Sequence, residues 1–165
     1  MTATDRFRPS VTVAAVIARE GRYLLVEEET PEGLRLNNPA GHLELGETPI
    51  AAVVREALEE TARAFNPEAF LGVYLARFVR PARLEDVTYV RLAFSGSVGE
   101  EIAGRTLDEG IRRTLWLSLD EIRASQERHR SPLVLRCIED HAAGRRLPLD
   151  SVNSDASLVD PRRLG

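Results

Sequence analysis

The residues best suited to chemistry in this 165-residue chain lie in the segment REALEE, residues 55–60. Residues three and four apart are neighbours on a helix, so Glu56, Glu59 and Glu60 would crowd together there. Each like-charged pair costs about 0.2–0.5 kcal/mol on an isolated helix, and negative charge late in a helix opposes its macrodipole. A hard divalent cation takes oxygen ligands and would offset both costs. The segment therefore predicts a cation site, or else a solvated face balanced by arginines, for instance through a Glu59–Arg63 pair.

The helix that must carry these carboxylates begins where the sequence provides a cap. Thr48 can cap it, and Pro49 suits its first position. The pair Asn66-Pro67 predicts its end. Apolar residues at helical spacing predict its buried face, formed by Ile50, Val53, Val54, Ala57, Leu58 and Phe65. We expect the glutamates of residues 55–60 on the opposite face.

Strands are predicted on both sides of this helix from β-rich runs bounded by turn residues. The predicted strands cover residues 11–17, 22–26, 70–79, 87–98 and 113–117. The predicted loops cover residues 27–33, 37–48 and 99–110. Two further helices are expected, one with a capping box of Ser118 and Glu121 and one that begins at Ser131-Pro132. Strands and helices without strict alternation predict an α/β sandwich with a mixed sheet.

Composition and charge narrow the class of protein. The length predicts one domain, over residues 7–150, followed by a flexible tail over residues 151–165. The formal net charge of -4 argues against a broad nucleic-acid footprint, which would be basic. No apolar run approaches the roughly 20 residues that span a bilayer, and the N-terminus lacks the apolar core of a signal peptide. We therefore expect a cytoplasmic protein, and its one cysteine, Cys137, leaves no internal disulfide.

The segment from Gly41 to Glu60 resembles the signature of the Nudix hydrolases. That signature is Gly, five residues, Glu, seven residues, Arg-Glu, two residues and Glu-Glu, and it is filled here by Gly41, Glu47, Arg55, Glu56, Glu59 and Glu60. The resemblance implies a Nudix-type α/β/α sandwich with a mixed sheet and a loop–helix–loop catalytic box. Where the family usually has Gly and an apolar residue, this chain has Ala62 and Arg63, so the helix is expected to run on towards Asn66.

The resemblance also implies an enzyme that uses Mg²⁺ or Mn²⁺. Glu56 and Glu60 would be the principal ligands of the cation, Glu59 a further one, and the carbonyl of Ala40 another. Glu56 could instead take the proton from the attacking water, and the sequence leaves these roles open. A carboxylate bound to a cation titrates low, so one residue is not expected to perform both tasks at full strength.

Other residues of the box are expected to support these ligands. Arg55 would pair with Glu47 and orient the carboxylates, or would form a plain surface ion pair. Gly41 would sit where a side chain obstructs the turn or the cation. Glu44 is suited equally to a functional and to a solvated role. His42 follows Gly41 and is a candidate for substrate contact.

Residues outside the box complete the predicted site. Many family members add a carboxylate from a distant loop, and of Asp108 and Glu109 we choose Glu109. Arg130 precedes a predicted helix, whose N-terminus could hold a distal phosphate. Packing roles are predicted for three residues on apolar segments, Trp116, Cys137 and His141.

Longer strings, over roughly residues 7–150, resemble the NudJ type of Nudix phosphatase. Members of that type remove phosphate from nucleoside tri- and diphosphates and from the pyrimidine pyrophosphate precursor of thiamine. The resemblance thus implies cleavage of a phosphoanhydride in a small nucleotide or a pyrimidine pyrophosphate. Two alternatives stay open: another nucleoside diphosphate derivative, such as ADP-ribose or an oxidised nucleotide, and a nucleotide sensor without turnover. Exposed strand edges could support a homodimer.

Overall fold

The computed structural model describes residues 6–161. Within that range the chain forms seven strands, which are β1 (Ser10–Arg19), β2 (Arg22–Thr30), β3 (Gly33–Asn37), β4 (Ala40–His42), β5 (Phe65–Arg80), β6 (Glu85–Val98) and β7 (Ile111–Ser118). Its α-helices are α1 (Pro49–Thr61), α2 (Leu119–Ala124) and α3 (Leu133–Ala142). Short 3₁₀ turns cover Pro81–Arg83, Gln126–Arg128, Leu149–Ser151 and Ala156–Leu158.

The strands form one mixed sheet in the order β3-β2-β1-β6-β5, with β4 added to β1 and β7 added to β2. Strands β1 and β6 run parallel, and the other pairs are antiparallel. Strand β1 pairs with β2 at Ala18 and Arg19, at its end, and with β4 from Thr12 to Ala14. The sheet is therefore open between β1 and β2 beside β4, and the site lies at this opening.

Alternate residues of β1 point to opposite faces of the sheet and enter two separate cores. Val13 and Ile17 pack in one core with Val53 of α1. Val16 packs in the other with Cys137 and Ile138 of α3. A mixed sheet between α1 and the α2–α3 layer confirms the predicted α/β sandwich. None of the helices within residues 6–161 has the length and apolar character that crossing a bilayer requires.

The end of α1 differs from its prediction. The helix ends at Thr61 and does not run on towards Asn66, because Ala62 adopts a left-handed conformation with φ 53°. This conformation costs a non-glycine residue about 1–2 kcal/mol. Backbone hydrogen bonds offset that cost, since the Ala62 N–H donates to Leu58 and its carbonyl accepts from Ile102 at 2.8 Å. Strand β5 can then begin at Phe65.

Two predicted loops contain strand residues. Residues 27–30 continue β2, because their backbone pairs with β3 and, at Glu27 and Glu28, also with β7. The predicted loop over residues 37–48 includes β4. Helix α2 has the predicted capping box, whereas α3 begins one residue late, with Ser131 Oγ accepting from the Leu133 N–H at 3.2 Å.

The predicted flexible tail over residues 151–165 stays a prediction. Leu149 and Val152 pack against the core beneath α1, and Ala156–Leu158 forms a 3₁₀ turn. Residues 162–165 lie outside the described part of the chain, as do residues 1–5.

Candidate active site

Helix α1 turns two of its glutamates inward. Only 8% of Glu56 and 7% of Glu60 is exposed, while Glu59 is partly exposed. The expectation that all three lie opposite the buried face is wrong for Glu56 and Glu60. The physical reason is that α1 packs against β4 as well as β1, so these side chains reach across β4 into the opening of the sheet.

The guanidinium of Arg55 organises these carboxylates. Its Nε and Nη2 atoms donate to the two oxygens of Glu47, at 3.1 and 2.7 Å, so the expected Arg55–Glu47 pair is formed. Its Nη1 atom donates to Glu56 at 2.7 Å and to Glu59 at 3.1 Å. The hydrogen bonds from Arg55 lower the pKa of Glu47 and raise that of Arg55 itself. The Glu59–Arg63 pair of the alternative interpretation is not formed among the described contacts, since Arg63 contacts the loop after β6.

The backbone of β4 lies against the two inward glutamates. A Cβ atom at Gly41 would overlap the carboxylate of Glu56, so a larger residue there would displace that carboxylate from its present position. The Ala40 N–H donates to Glu60 Oε2 at 2.9 Å. This N–H is the observed contact of Ala40 with the carboxylates, and its carbonyl stays a predicted ligand.

The electrostatics of the inward glutamates differ from those of exposed glutamates. Burial raises the pKa of Glu60 to about 8, and the charges of Glu56, Glu28 and Asp108 add to the rise against the Ala40 hydrogen bond. Burial also raises the pKa of Glu56, although Arg55 opposes the shift. Each shift arises because a charged carboxylate is destabilised by desolvation and by like charges. Among residues 6–161, Glu60 has no hydrogen bond or ion pair with a cation, although Arg91 lies near enough for the two charges to interact.

A cavity of about 400 Å³ opens in front of these carboxylates. Sequence-predicted residues line part of its wall, namely Ala40, Gly41, His42, Glu44, Glu56, Glu60 and Arg130. Residues that were not predicted line the rest, among them Glu28, Asn37, Phe78, Arg80, Tyr89 and Arg91. The structure thus brings the box together with β2, β3 and the β5–β6 hairpin.

Arg91 is the most deeply buried of the unpredicted cations in the cavity wall. It is 6% exposed, and its Nη1 and Nη2 atoms donate to the side-chain oxygens of Asn38 and Asn37, each at 3.1 Å. Glu28 Oε1 accepts from Asn37 at 3.4 Å and lies 3.5 Å from Arg130 Nε. The available signal was a lone arginine between Val90 and Leu92 in an apolar strand.

The loop before β7 brings Asp108 to the site. Its N–H donates to the Glu59 carbonyl at 2.9 Å, and its charge raises the pKa of Glu56 and of Glu60. Among the contacts of residues 6–161, no hydrogen bond or ion pair joins Glu109 to these carboxylates. The role predicted for Glu109 stays a prediction, and the geometry favours its neighbour.

The three residues predicted to be packing groups do not line the cavity, although the Cys137 thiol contacts Arg91 in its wall. Cys137 is fully buried in the core beneath α3. Trp116 packs against the other core, and His141 Nδ1 lies 2.9 Å from the hydroxyl of Tyr23.

The donor atoms of the box fit a hard divalent cation in chemistry, since they are carboxylate oxygens that face a cavity and repel one another. Within residues 6–161, however, no three His, Cys, Asp or Glu side chains converge as a metal site. Instead, Arg55 Nη1 donates to Glu56 and Glu59, and Glu60 accepts from the Ala40 N–H. A cation held by Glu56 and Glu59 would take the place of their contact with Arg55.

The fold and the box together define a Nudix hydrolase. The family model of the NUDIX domain matches residues 6–137, and the chain therefore belongs to the Nudix family. It is 34% identical to the phosphatase NudJ of Escherichia coli K12 over 146 residues, which are 88% of this chain and 92% of that protein.

Solved structures agree with this assignment. The chain is 50% identical to a NUDIX hydrolase from Nitrosomonas europaea, with a TM-score of 0.80 over 90% of this chain and 98% of that one. A MutT NUDIX hydrolase from Burkholderia pseudomallei, 23% identical, shares the fold with a TM-score of 0.64 over 81% of this chain and 98% of that one. The prediction of a Nudix hydrolase is confirmed, and members of this family generally use divalent metals and act on small nucleotide-type substrates.

Proposed function

We propose that this Nudix hydrolase uses Mg²⁺ or Mn²⁺ to cleave a phosphoanhydride of a small nucleoside tri- or diphosphate, or of a pyrimidine pyrophosphate. One observation carries the proposal: two buried glutamates, Glu56 and Glu60, face the same cavity as the cations Arg91 and Arg130. Carboxylates can hold a divalent cation at one side, and arginines can hold phosphate at the other.

The cation would be held by Glu56, Glu59 and Glu60, with the Ala40 carbonyl as a further ligand. When bound, it supplies charge neutralisation for the phosphates and a lowered pKa for the attacking water. Arg55 would stay hydrogen-bonded to Glu47 through its Nε and Nη2 atoms. These bonds hold the first turns of α1 against the loop that follows Gly41.

The proton of the attacking water goes to a carboxylate oxygen. Glu56 is our choice, in which case Glu59 and Glu60 would hold the cation, because burial raises the pKa of Glu56. Asp108 is a better choice than Glu109 for an additional carboxylate, since its charge acts on both Glu56 and Glu60. Arg91 and Arg130 would neutralise the phosphates of the substrate from the cavity wall.

The substrate class rests on the relatives and on the size of the cavity. Similarity to the phosphatase NudJ supports release of orthophosphate from a terminal phosphate. A cavity of about 400 Å³ suits a single nucleotide or a smaller pyrimidine compound.

The test is the release of orthophosphate and pyrophosphate from a panel of nucleoside tri- and diphosphates, pyrimidine pyrophosphates and ADP-ribose, with Mg²⁺ and with EDTA. We expect Mg²⁺-dependent release of orthophosphate, and a loss of about 10²–10⁴ in turnover for Glu56→Gln. No release from any compound, together with tight binding of one, would overturn the proposal in favour of a sensor.

A further inference from the structure

Two aromatic side chains of the β5–β6 hairpin face the cavity and not the core. The rings of Phe78 and Tyr89 meet edge to face, with centroids 5.8 Å apart. Both are partly exposed, and both line the cavity. Tyr23, Phe65, Phe70, Tyr74 and Phe94 of the sheet are buried in the core, and the partly buried Trp116 packs against it. Packing of the core therefore does not account for Phe78 and Tyr89.

The strand register places this pair beside Arg91, one of the two arginines proposed to neutralise the phosphates of the substrate. Thr12 pairs with both His42 and Arg91, so those two residues share one row and one face of the sheet. Tyr89 precedes Arg91 by two residues, on the same face and about 7 Å along the strand. Tyr89 pairs with Ala76 of β5. Phe78 follows Ala76 by two residues, so it lies on the same face of the sheet and nearer the turn of the hairpin.

The outer end of this aromatic surface is closed by Arg80. Its guanidinium lies 5.5 Å from the centre of the Phe78 ring. An ion pair with Glu85 at 3.0 Å holds it there, and Glu32 lies 3.8 Å away. The surface between Arg91 and Arg80 is thus aromatic in the middle and cationic at both ends.

We propose that Phe78 and Tyr89 form the binding site for the ring of the substrate. A flat heteroaromatic ring, such as that of a pyrimidine, stacks on Tyr89, while its phosphates extend over Arg91 towards Glu60. Every base presents a π-face, so such a surface accepts ring-bearing phosphates and gives no affinity to a phosphate without a ring. This inference rests on the proposed function and specifies which part of the cavity recognises which part of the substrate.

The first test measures binding without turnover. Isothermal titration calorimetry in EDTA compares CMP with ribose 5-phosphate, which lacks only the base, on the wild type and on Tyr89→Leu. We expect Tyr89→Leu to weaken CMP binding about tenfold and to leave ribose 5-phosphate unchanged. The matched control is Leu75→Ala, on the opposite face of the same hairpin and 62% exposed, which should bind both compounds like the wild type. Equal CMP affinity in Tyr89→Leu, or an equal loss for both compounds, would overturn the proposal.

The second test uses the reaction. With Mg²⁺, Tyr89→Leu should raise KM for CDP about tenfold with kcat within about twofold, and should leave KM for inorganic tripolyphosphate unchanged. Tyr89→Phe, which keeps the ring, should behave like the wild type. If Tyr89→Leu does not fold, Phe78→Leu takes its place with the same expected direction. If the wild type hydrolyses none of these compounds, the proposed function fails, and the CMP titration still decides the ring site.

Discussion

Two buried glutamates of this protein, Glu27 in β2 and Glu60 in α1, have opposite surroundings. They are 3% and 7% exposed, respectively. Glu27 accepts hydrogen bonds from two guanidinium groups, those of Arg113 at 2.9 Å and of Arg128. Glu60 accepts one backbone N–H, from Ala40, and its carboxylate faces other acidic residues. Burial alone does not distinguish the two residues, but their partners do.

The consequence appears in the two pKa values. The arginines lower the pKa of Glu27, so that it stays ionised and fastens the 3₁₀ turn Gln126–Arg128 to β2. Desolvation and like charges raise the pKa of Glu60 to about 8. Two arginines therefore hold Glu27 as a structural group, whereas Glu60 accepts only a backbone N–H among the described contacts, and we expect it to take up a cation from solution. The predictions below test this difference.

The largest effect is expected from Glu60→Gln, which removes the charge from the unpaired member of the comparison. We expect kcat for the best substrate to fall about 10²–10⁴-fold. The thermal midpoint at pH 7.5 in EDTA should not fall, because a carboxyl group with a pKa of about 8 is already largely neutral at this pH and the amide keeps an acceptor for the Ala40 N–H. A thermal midpoint well below that of the wild type would show that Glu60 is a structural residue like Glu27.

A smaller loss of activity is expected from Arg55→Lys. A lysine has a single ammonium group in place of the planar guanidinium, so it cannot donate hydrogen bonds to Glu47, Glu56 and Glu59 at the same time. We expect kcat/KM to fall about 10–100-fold, as for other residues that orient ligands. The matched control is Arg113→Lys, which alters an arginine of the Glu27 pair and should keep kcat/KM within about threefold. Equal losses in both variants would remove the distinction between the two regions.

Stability and not activity should change in Glu27→Gln. The amide leaves the hydrogen bonds to Arg113 and Arg128 without a charged acceptor, which should cost about 1–3 kcal/mol. Each kcal/mol corresponds to about 2–4 °C in a domain of this size, and calorimetry would measure it. We expect kcat within about threefold of the wild type. A loss of turnover as large as that of Glu60→Gln would contradict the structural role.

The pH dependence of stability should have opposite signs for the two residues. The folded pKa of Glu60, about 8, lies above its ordinary 4.5, so its contribution is present below pH 4.5 and is lost as the pH rises towards 8. Glu27 has a lowered pKa, so its contribution is present above pH 4.5 and is lost as the pH falls below that value.

Urea unfolding in EDTA between pH 5 and pH 8 would measure how the contribution of Glu60 to the free energy of unfolding depends on pH. The wild type should lose stability relative to Glu60→Gln as the pH rises. Parallel curves for the two proteins would show that the carboxylate of Glu60 is not perturbed by its surroundings.

The box could be predicted from the sequence because its contacts are local. Glu47, Arg55 and Glu56 lie within one loop and the helix that follows, and helical spacing sets their order. The inward direction of Glu60 could not be predicted, since helical periodicity does not say where β4 crosses the helix. The end of α1 was also missed, because an alanine, Ala62, takes the left-handed conformation that a glycine normally takes.

The rest of the cavity depends on pairing between distant strands. Arg91 and Tyr89 reach the site because β6 pairs in parallel with β1, and Asn37 reaches it at the end of β3. Neither register follows from local propensity. Glu28 was assigned to a polar loop for the same reason, since its partner Arg130 is far away in the sequence.

The most direct measurement is Mn²⁺ binding at pH 7.5 by isothermal titration calorimetry, on the wild type, Glu60→Gln and Glu27→Gln. It needs no knowledge of the substrate and compares the two buried glutamates directly. Our account predicts that the wild type and Glu27→Gln bind Mn²⁺ with equal affinity and that Glu60→Gln binds it at least about tenfold more weakly. Equal binding by all three proteins, or no binding by the wild type, would contradict the assignment of the cation site to α1.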